Sequence, residues 1–597
     1  MNNIRNFAII AHIDHGKSTL SDRLIEKAGL LQKKEKIELI MDDMEIERER
    51  GITIKANTAR LKYNFRNEEY ILNLIDTPGH VDFSYEVIRS LGATEGVILL
   101  VDATQGVEAQ TIANLYLAMD TGKIVIPVIN KIDVKNINLD RIRNQIIDLG
   151  FSKDEILYIS AKTGEGIDSV FCSIIERIPP PSGSTDAPFK ALVFDAKYDD
   201  YVAGVIYIRV FDGKIKQKMK VKFYSGEKVY EVQEIGYLTP ERAPSDKLTA
   251  GEVGYCIAGF KSLREIKIGD TLYNVSVPEI KPVPGYKELK PMVFCGMYPV
   301  RGTDFEELKK ALLKLHLNDT SFEFSQETSN ALGFGYRCGF LGLLHMEIIQ
   351  ERLEREFNLD LIVTAPNVKY KVVMKNNETA YCENPSKFPD TAMIDYVEEP
   401  YLDLKIVSPS FYVGSILDIL NDRRAIQKEM IYLDCEKVML EYEMPLTEMI
   451  FDFYDKLKSI SRGYASMDYS NLHYKKSDMV KINILVNDEP VDALSVIVHK
   501  TKAYRYGKNL VKKLKEVIPR HLFTIPIQAA TGSRVIAREN ISALRKNVTA
   551  KCYGGDVTRK RKLLERQKEG KKRMKKIGKV EIPQQGFLAV LRANEPE

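Results

Sequence analysis

The stretch that decides the fold is FAIIAHIDHGKST, residues 7–19. Its apolar start predicts a buried strand over Phe7–Ala11, and the apolar spacing after it predicts a helix over Leu20–Lys27 that Gly29 can end. A strand that enters a helix through a loop closed by Gly-Lys-Ser is typical of a phosphate-binding P-loop. The sequence therefore predicts a nucleotide-binding α/β domain around this turn.

The loop has the chemistry of a phosphate site, because successive backbone N–H groups and a helix start bind anionic phosphates. Lys17 would place a positive charge on the β- and γ-phosphates, and the Ser18 hydroxyl is suited to ligate Mg²⁺. The first position is Ala11 where the motif has glycine. For the loop taken alone, the alternative interpretation is an ordinary strand-to-helix turn with a solvated lysine. The predicted phosphate-binding residues are Ala11, His12, Ile13, Asp14, His15, Gly16, Lys17, Ser18 and Thr19.

A second motif, DTPG at residues 76–79, follows an apolar strand predicted over Tyr70–Ile75. An acidic residue at a strand end, here Asp76, is suited to hold hydrated Mg²⁺. Gly79 lets a backbone N–H approach the γ-phosphate. The motif therefore predicts the metal and γ-phosphate side of the site.

Two further motifs indicate guanine as the base. NKID at residues 130–133 and SAK at residues 160–162 each follow a short apolar strand. The Asp133 carboxylate can accept both the ring N–H and the exocyclic amine of guanine, and a buried Asp133 would reject adenine, which lacks that amine. GTP and GDP are therefore the predicted nucleotides. The predicted base-binding residues are Asn130, Lys131, Ile132, Asp133, Ser160, Ala161 and Lys162.

The 597 residues are enough for several domains. Near-continuous apolar strands predict a parallel sheet in the first domain, and shorter strands with turns predict a β-barrel after it. Two later regions show the strand and helix order of split-βαβ (ferredoxin-like) modules. The predicted fold class is multidomain α/β and α+β. Its predicted parts are a P-loop nucleotide-binding domain 1–183, a β-barrel 184–285, a split-βαβ domain 286–370, a linker 371–399, a second split-βαβ domain 400–482 and a basic C-terminal domain 483–597.

Seven scattered cysteines without a C-x-x-C pair argue against a disulfide framework or a zinc site. They favour a reducing compartment. The sequence has no apolar run of about 18 residues, and its start does not have the pattern of a secretory signal. A cytoplasmic location is therefore expected.

The net charge of +4 is unevenly distributed, since residues 483–597 hold 26 Lys and Arg against 11 Asp and Glu. Seven of these bases lie between Lys500 and Lys515, interleaved with Tyr504 and Tyr506, and 13 lie within residues 551–579. Lys and Arg neutralise phosphates and Tyr stacks on unpaired bases, which favours RNA as the partner. The alternatives are a solvated charged surface and a peripheral contact with an anionic membrane surface.

With four motifs in this order, residues 1–180 resemble a translational GTPase. The resemblance implies that Thr53, in RGITI at residues 50–54, joins Ser18 and Asp76 as the ligands of Mg²⁺, Asp76 through water. It also implies that His80 is the catalytic histidine. Ile13 and Ile52 match the apolar residues that flank this histidine in relatives, which also share Ala11.

No arginine finger is identifiable from the sequence. Arg48 and Arg50 lie near Thr53, but Glu45–Arg50 is interpreted as a flexible charged segment. Intrinsic hydrolysis is therefore expected to be slow and to need an external activator.

Beyond the first domain, the order of modules resembles elongation factor G. The stretches GFGYRCGFLGLLHME at 333–347, NVTAKCYGGDVTRKRK at 547–562 and GKKRMK at 570–575 are more similar to elongation factor 4, the LepA type. Residues 371–399 are too few to hold the additional domain that elongation factor G inserts at this place.

This resemblance implies a monomeric GTPase that binds the 70S ribosome, ribosomal RNA and tRNA. It further implies the back-translocation of tRNAs on stalled or mistranslocated ribosomes, in support of translation under stress. Two alternatives from other classes are a GTP-gated ribosome-assembly or RNA-binding factor and a regulatory GTPase at a membrane surface.

Overall fold

The computed structural model describes residues 1–30, 41, 44–199, 202–239, 241–260, 266–277, 280–284, 290–329, 331–450 and 452–544. The predicted domain joint at 285 and the basic stretch 551–579, with the motifs at 547–562 and 570–575, lie outside these residues. In the described part of the chain, no helix is both long and apolar enough to cross a membrane.

The first domain is a mostly parallel sheet with helices on both faces. Its elements are β1 (Ile4–Ala11), α1 (Lys17–Lys27), α2 (Glu45–Arg50), β2 (Asn57–Phe65), β3 (Glu68–Asp76), α3 (Ser84–Gly92), β4 (Gly96–Asp102), α4 (Ala109–Asp120), β5 (Ile124–Asn130), α5 (Leu139–Asp148), β6 (Leu157–Tyr158) and α6 (Ile167–Arg177). The strands lie in the order β2-β3-β1-β4-β5-β6, and β2 alone pairs antiparallel. Every residue of β1 and β4 is buried, which explains their continuous apolar runs. The edge strand β2 alternates in polarity, and the sequence analysis missed it.

The segment interpreted as flexible and charged, Glu45–Arg50, is the helix α2, so that interpretation is wrong. The side chain of Glu47 is fully buried and accepts hydrogen bonds from the backbone N–H groups of Met44 and Ile54 at 2.9 and 2.8 Å. The segment therefore folds around the buried carboxylate of Glu47, a role that its charged composition does not reveal.

The second domain is an antiparallel β-barrel, as expected. Its strands are β7 (Lys190–Asp199), β8 (Ala203–Asp212), β9 (Lys214–Lys216), β10 (Lys220–Phe223), β11 (Val229–Glu231), β12 (Glu234–Thr239), β13 (Glu241–Pro244), β14 (Lys247–Thr249), β15 (Val253–Ile257) and β16 (Thr271–Asn274). Charged contacts that join it to the first domain include Arg60, 3.0 Å from Glu252, and the buried Arg209, 2.9 Å from Glu95. The barrel is thus docked beside β2 and the start of β4.

The third module is a four-stranded antiparallel sheet in the order β18-β19-β17-β20. Its elements are β17 (Val293–Pro299), α7 (Phe305–Asn318), β18 (Glu323–Ser329), β19 (Gly333–Phe340), α8 (Leu343–Phe357) and β20 (Leu361–Val363). Leu312 of α7 and Leu353 of α8 share one core with Cys338 of the sheet. Both helices therefore pack on one face, as in a split-βαβ module.

The fourth module differs from the predicted layout. Its elements are β21 (Tyr370–Met374), β22 (Thr379–Cys382), β23 (Ile394–Pro409), α9 (Val413–Asp422), β24 (Ile426–Tyr432), β25 (Lys437–Pro445), α10 (Leu446–Ile450), α11 (Phe453–Ile460) and β26 (Ser466–Ser477). Residues 371–399, expected to be a linker, contribute β21, β22 and the first part of β23 to one sheet with β24, β25 and β26. Polar residues alternate with buried ones in these strands, so composition alone suggests a connection.

The C-terminal module pairs β28-β27-β29-β30 and packs α12 against them. Its elements are β27 (Met479–Val486), β28 (Glu489–His499), α12 (Ala503–Val517), β29 (Ile525–Thr531) and β30 (Arg534–Ile541). The boundary predicted between residues 482 and 483 therefore falls inside a strand. Tyr506, expected to face RNA with Tyr504, is buried under α12, whereas Tyr504 is 62% exposed. The difference follows from the helical period, which places Tyr506 on the side of Leu510.

A buried lysine fastens the fourth module to the first domain. Lys437, at the start of β25, is 5% exposed and donates hydrogen bonds to the carbonyl oxygens of Gln105 and Val107 at 2.7 and 2.9 Å. Its ammonium also lies 2.5 Å from the carboxylate of Glu108, which is itself buried. Burial raises the pKa of Glu108, and the positive charge of Lys437 opposes that rise.

Replacing this lysine should weaken the docking of the two domains. Lys437→Ala leaves Glu108 buried without its counter-charge, and we expect the free energy of unfolding to fall by about 3–5 kcal/mol. Urea-induced unfolding measures the change. The matched control is Lys428→Ala on the adjacent strand, whose side chain is 41% exposed and whose ion pairs should contribute less than about 1 kcal/mol. Equal losses in the two variants would contradict the assignment.

Candidate functional site

The phosphate loop is shaped by Gly16, which precedes α1 with a φ of 88°. This left-handed conformation favours glycine. A Cβ at this position would also lie 2.6 Å from the side-chain nitrogen of Asn130. The loop thus closes against the end of β5, and α1 begins at Lys17 with its N-terminus turned to the loop.

The ammonium of Lys17 forms hydrogen bonds with two of the residues predicted to bind Mg²⁺. Lys17 Nζ donates to Thr53 Oγ1 at 2.7 Å and to Asp76 Oδ1 at 3.0 Å. Ser18 Oγ lies 3.2 Å from Thr53 Oγ1. The pairing of β1 with β3 sets Asp76 opposite Ile9, directly before the loop. Three side chains that are far apart in the sequence therefore converge on one point.

A cavity of about 250 Å³ opens beside this cluster. Gly79 approaches the loop closely, since a Cβ there would lie 3.2 Å from the carbonyl oxygen of Ala11. The site residues that line the cavity are His12, Ile13, Asp14, Gly16, Lys17, Ser18, Thr19, Thr53, Gly79, His80 and Lys131. Ile52 lines it as well, so both apolar residues expected near His80 share its cavity.

The predicted base-binding residues form one hydrogen-bonded group. Asn130 donates to the carbonyl oxygen of His15 at 2.9 Å and accepts from the backbone N–H of Ala161 at 2.9 Å. Ser160 donates to Asp133 Oδ1 at 2.7 Å. Ile132 joins them through its backbone N–H, 3.3 Å from the carbonyl oxygen of Ile159. The two motifs are therefore held together against the phosphate loop.

Lys131 and Lys162 make separate contacts with the phosphate loop and with α1. Lys131 donates to the carbonyl oxygen of Asp14 and pairs with the buried Asp102, both at 2.7 Å. The carbonyl oxygen of Lys162 accepts from Arg23 of α1 at 2.8 Å. Both Asp14 and Lys131 have positive φ, which is uncommon for residues other than glycine and is often found at functional sites.

Asp133 is exposed, although the sequence argument for base selectivity assumes a buried carboxylate. It lies three residues beyond the end of β5, where the chain has left the sheet. Its Oδ1 accepts from Ser160, and this contact orients the carboxylate at the rim of the site.

The two loop histidines act mainly through their backbone. His15 is fully buried, its Nδ1 lies 3.2 Å from the carbonyl oxygen of Leu100, and burial lowers its pKa to about 4. Burial also lowers the pKa of His12 to about 3. Both rings are therefore neutral near pH 7, and neither adds charge to the phosphate loop.

His80 lies at a junction of three modules. Its side chain is 15% exposed, and its ring centroid lies 6.4 Å from those of Phe83 and of Tyr454 in α11. Nδ1 accepts the backbone N–H of Asp82 at 3.1 Å, which leaves the proton of the neutral ring on Nε2. Burial lowers the pKa of His80, Asp82 opposes this and Lys458 adds to it.

Sequence reasoning missed the residues that dock α2 onto α8. Arg50 lies 2.6 Å from Glu351, and Glu49 lies 2.7 Å from Arg355. These partners are about 300 residues apart in the chain, so no local pattern could pair them. The guanidinium of Arg50 is held by α8 and not by the phosphate loop.

Four family models match the chain. They describe the elongation factor Tu GTP-binding domain over residues 2–180, elongation factor Tu domain 2 over 203–273, the elongation factor G C-terminus over 396–485 and the C-terminus of the GTP-binding protein LepA over 486–592. Elongation factor 4 of Chlorobaculum tepidum is 55% identical over 595 residues, which are 99% of this chain and 98% of that protein. The chain belongs to the elongation factor 4 family.

Elongation factor 4 of Chlorobium limicola gives a similar result, with 54% identity over 99% of this chain and 98% of its own. A solved structure from Thermus thermophilus, only 18% identical, shares the fold with a TM-score of 0.58 and covers 80% of this chain and 97% of that one. Membership in the elongation factor 4 family makes the chain a translational GTPase that binds guanine nucleotides and the ribosome.

The base site predicts that a substitution at Asp133 changes the nucleotide preference from guanine to xanthine. Asp133→Asn replaces the carboxylate with an amide that no longer accepts both guanine donors but can pair with xanthine. We expect affinity for GTP to fall about 10- to 100-fold, since a hydrogen bond to a charged group contributes about 1.5–3 kcal/mol, and xanthosine triphosphate to restore binding. Equilibrium titration with both nucleotides measures this. Asp140→Asn, on the exposed face of α5, is the matched control. Parental affinities for both nucleotides in Asp133→Asn would show that this residue does not read the base.

Proposed function

We propose that the chain binds GTP with Mg²⁺, hydrolyses it on the 70S ribosome, and uses the resulting change of domain arrangement to move tRNAs backwards on stalled or mistranslocated ribosomes under stress. The observation that carries the proposal is the convergence of the phosphate loop, Thr53 and His80 at a point where α8 and α11 also meet the first domain. A contact between the hydrolytic site and distant modules is what a nucleotide-driven rearrangement requires.

The side chains around Lys17 fit a magnesium ion. Ser18 and Thr53 present hydroxyl oxygens 3.2 Å apart. Asp76 is fully buried, and its Oδ2 has no hydrogen-bond partner among the residues that the structure describes. Oxygen ligands of this kind suit Mg²⁺, which keeps several waters. When bound, the ion would neutralise charge on the β- and γ-phosphate oxygens. Lys17 and the loop N–H groups would hold the same phosphates, and Gly79 would face the γ-phosphate.

In this proposal His80 orients the attacking water. The water oxygen forms a bond to the γ-phosphorus while the bond from that phosphorus to the β-phosphate oxygen breaks. A water proton passes to an oxygen of the transferred phosphoryl group, and the products are GDP and inorganic phosphate. Because burial lowers its pKa, His80 is neutral near pH 7. Its Nε2–H is a donor and not a strong base, which is sufficient because phosphoryl transfer depends mainly on positioning and charge stabilisation.

The basic face of α12 supports an RNA contact. Leu510, Val511 and Leu514 are buried against the sheet, and Lys508 and Lys512 lie exposed on the other side with Tyr504. In the same region Lys515 pairs with Glu539 at 2.8 Å and Lys502 with Glu448 at 2.9 Å. We propose the exposed face, with the basic stretch 551–579, as the surface that meets ribosomal RNA.

The same proposal includes a monomer in the cytoplasm with five modules. Their boundaries lie near those predicted from the sequence, except that residues 371–399 belong to the fourth module and β27 to the C-terminal module. The basic face would also attract anionic lipid headgroups, so peripheral binding to the cell membrane is a second expected interaction.

If His80 is the catalytic residue, its removal should lower the rate of GTP hydrolysis without changing GTP affinity. His80→Ala should leave GTP affinity nearly unchanged, because the ring contacts the water and not the nucleotide. Ribosome-stimulated hydrolysis should fall about 10²- to 10⁴-fold, the usual effect of losing a positioned proton-handling group. Nucleotide titration and single-turnover hydrolysis with 70S ribosomes measure the two quantities. His473→Ala, in β26 of the fourth module, is the control and should keep parental turnover. Unchanged stimulated turnover in His80→Ala would remove His80 from the mechanism.

The RNA assignment predicts a weaker dependence of ribosome binding on salt. Lys508→Glu with Lys512→Glu should reduce the slope of log affinity against log salt by about 0.7–0.9 for each phosphate that the protein no longer neutralises. GTP binding and intrinsic hydrolysis should not change, since the nucleotide site lies wholly in the first domain. Lys309→Glu with Lys310→Glu reverses the same number of charges on exposed positions of α7 and is the control.

Binding of these variants to 70S ribosomes and to vesicles containing anionic lipid is measured across a salt series. An unchanged affinity and slope for ribosomes would show that the exposed face of α12 is only a solvated surface. Loss of vesicle binding alone would assign that face to lipid.

A further inference from the structure

Asp82 lies two residues after His80 and is 5% exposed. The proposed reaction does not require it, yet its side chain contacts two other modules at once. The carboxylate faces the N-terminus of α8 from the third module and Tyr469 of β26 from the fourth. A charged group buried this deeply needs partners that stabilise its charge.

The first partner is the start of α8. Asp82 Oδ2 accepts the backbone N–H groups of Leu344 at 2.9 Å and His345 at 3.3 Å. The residue that precedes the helix is Gly342, which has no side chain to accept these hydrogen bonds. A Cβ at Gly342 would lie 2.2 Å from Cγ of Asp82. The capping carboxylate of this 15-residue helix therefore comes from the first domain.

The second partner is the hydroxyl of Tyr469, which donates to Asp82 Oδ1 at 2.5 Å. Burial and the charge of Asp82 raise the pKa of Tyr469 well above its usual value, so the hydroxyl keeps its proton and remains a donor. The two oxygens of one carboxylate thus receive donors from two different modules.

The third contact is with the proposed catalytic residue. The backbone N–H of Asp82 donates to Nδ1 of His80 at 3.1 Å, and the carboxylate oxygen Oδ1 lies 3.7 Å from the same nitrogen. A shift of Asp82 would therefore move the backbone N–H that fixes the tautomer and orientation of the His80 ring. Among the described residues, other charged or titratable groups near His80 include Lys458 and Tyr454 of α11 and His12 of the phosphate loop.

We propose that Asp82 is a positioning residue that couples the docking of the third and fourth modules to the orientation of His80. When α8 and Tyr469 are docked, the carboxylate is held from both sides and its backbone N–H presents Nε2–H of His80 to the attacking water. Undocking of either module frees Asp82 and removes that constraint. The inference rests on the proposed role of His80 in hydrolysis on the ribosome.

The test compares Asp82→Ala, Asp82→Asn and Tyr469→Phe in the full chain. We expect Asp82→Ala to lower ribosome-stimulated kcat about 10²-fold, the effect of misplacing a catalytic group by about 1 Å. The KM for ribosomes and the affinity for GTP should change less than about threefold, because no contact with either partner is removed. Asp82→Asn keeps an oxygen that can cap α8 and should restore part of kcat. Tyr469→Phe, which loses one donor, should lie between Asp82→Asn and the parent.

A double variant separates positioning from simple stability. If Asp82 acts through His80, Asp82→Ala should reduce kcat less than about threefold further in a His80→Ala background, because residues that act as a unit are not additive. Glu354→Ala removes an exposed carboxylate that contacts Gln350 within α8 and leaves the contacts of α8 with the first domain in place. It is the matched control and should keep parental kcat.

Two results would overturn the inference alone: parental kcat in Asp82→Ala while His80→Ala is inactive, or a full further 10²-fold loss in the double variant. Parental kcat in His80→Ala would overturn the catalytic assignment together with the inference. If Asp82→Ala does not fold, Asp82→Asn and Tyr469→Phe decide the question, and parental kcat in both would contradict it.

Discussion

The buried ammonium of Lys17 is the contact on which the arrangement of the first domain depends. Its side chain is 8% exposed and lies 3.0 Å from Asp76, which is fully buried. A buried charge is tolerated when it is paired and hydrogen-bonded, and here the same ammonium also binds Thr53. The phosphate loop, the end of β3 and the segment after α2 are thereby held together, and the residues proposed to bind a nucleotide and its metal lie where they meet.

Charged contacts also join the first domain to the other modules. Arg50 of α2 binds Glu351 of α8, and Asp82 caps the same helix. Lys437 of the fourth module binds Glu108 at the start of α4. Because each contact pairs a charge from one module with its partner in another, separating the modules would leave charges without partners. Such contacts favour a small number of discrete arrangements over gradual deformation, which is what the proposed rearrangement on hydrolysis requires.

The local parts of this account could be predicted from the sequence, and the contacts between modules could not. The phosphate loop, Asp76, Gly79 and the NKID and SAK motifs are short segments at strand ends, and a parallel sheet brings such ends to one edge. Tyr469 lies 387 residues from Asp82, and Glu351 about 300 from Arg50, so no periodicity or spacing relates them.

Errors in the sequence analysis had the same origin. The strands within residues 371–399 and the helix Glu45–Arg50 have polar compositions, and their partners lie elsewhere in the fold. The exposure of Asp133 depends on the packing around that position. The burial of Tyr506, by contrast, follows from the helical period of α12, which the sequence analysis did not apply to this residue.

The central claim is that hydrolysis is coupled to the ribosome through the docked modules. The most direct measurement is single-turnover GTP hydrolysis by the full chain with and without 70S ribosomes, at the same saturating nucleotide concentration. The account predicts slow turnover alone and an increase of several orders of magnitude with 70S particles, comparable to the about 10³- to 10⁵-fold effect of an activating partner on other GTPases. Equal rates with and without 70S ribosomes, or stimulation by isolated subunits but not by 70S particles, would contradict it.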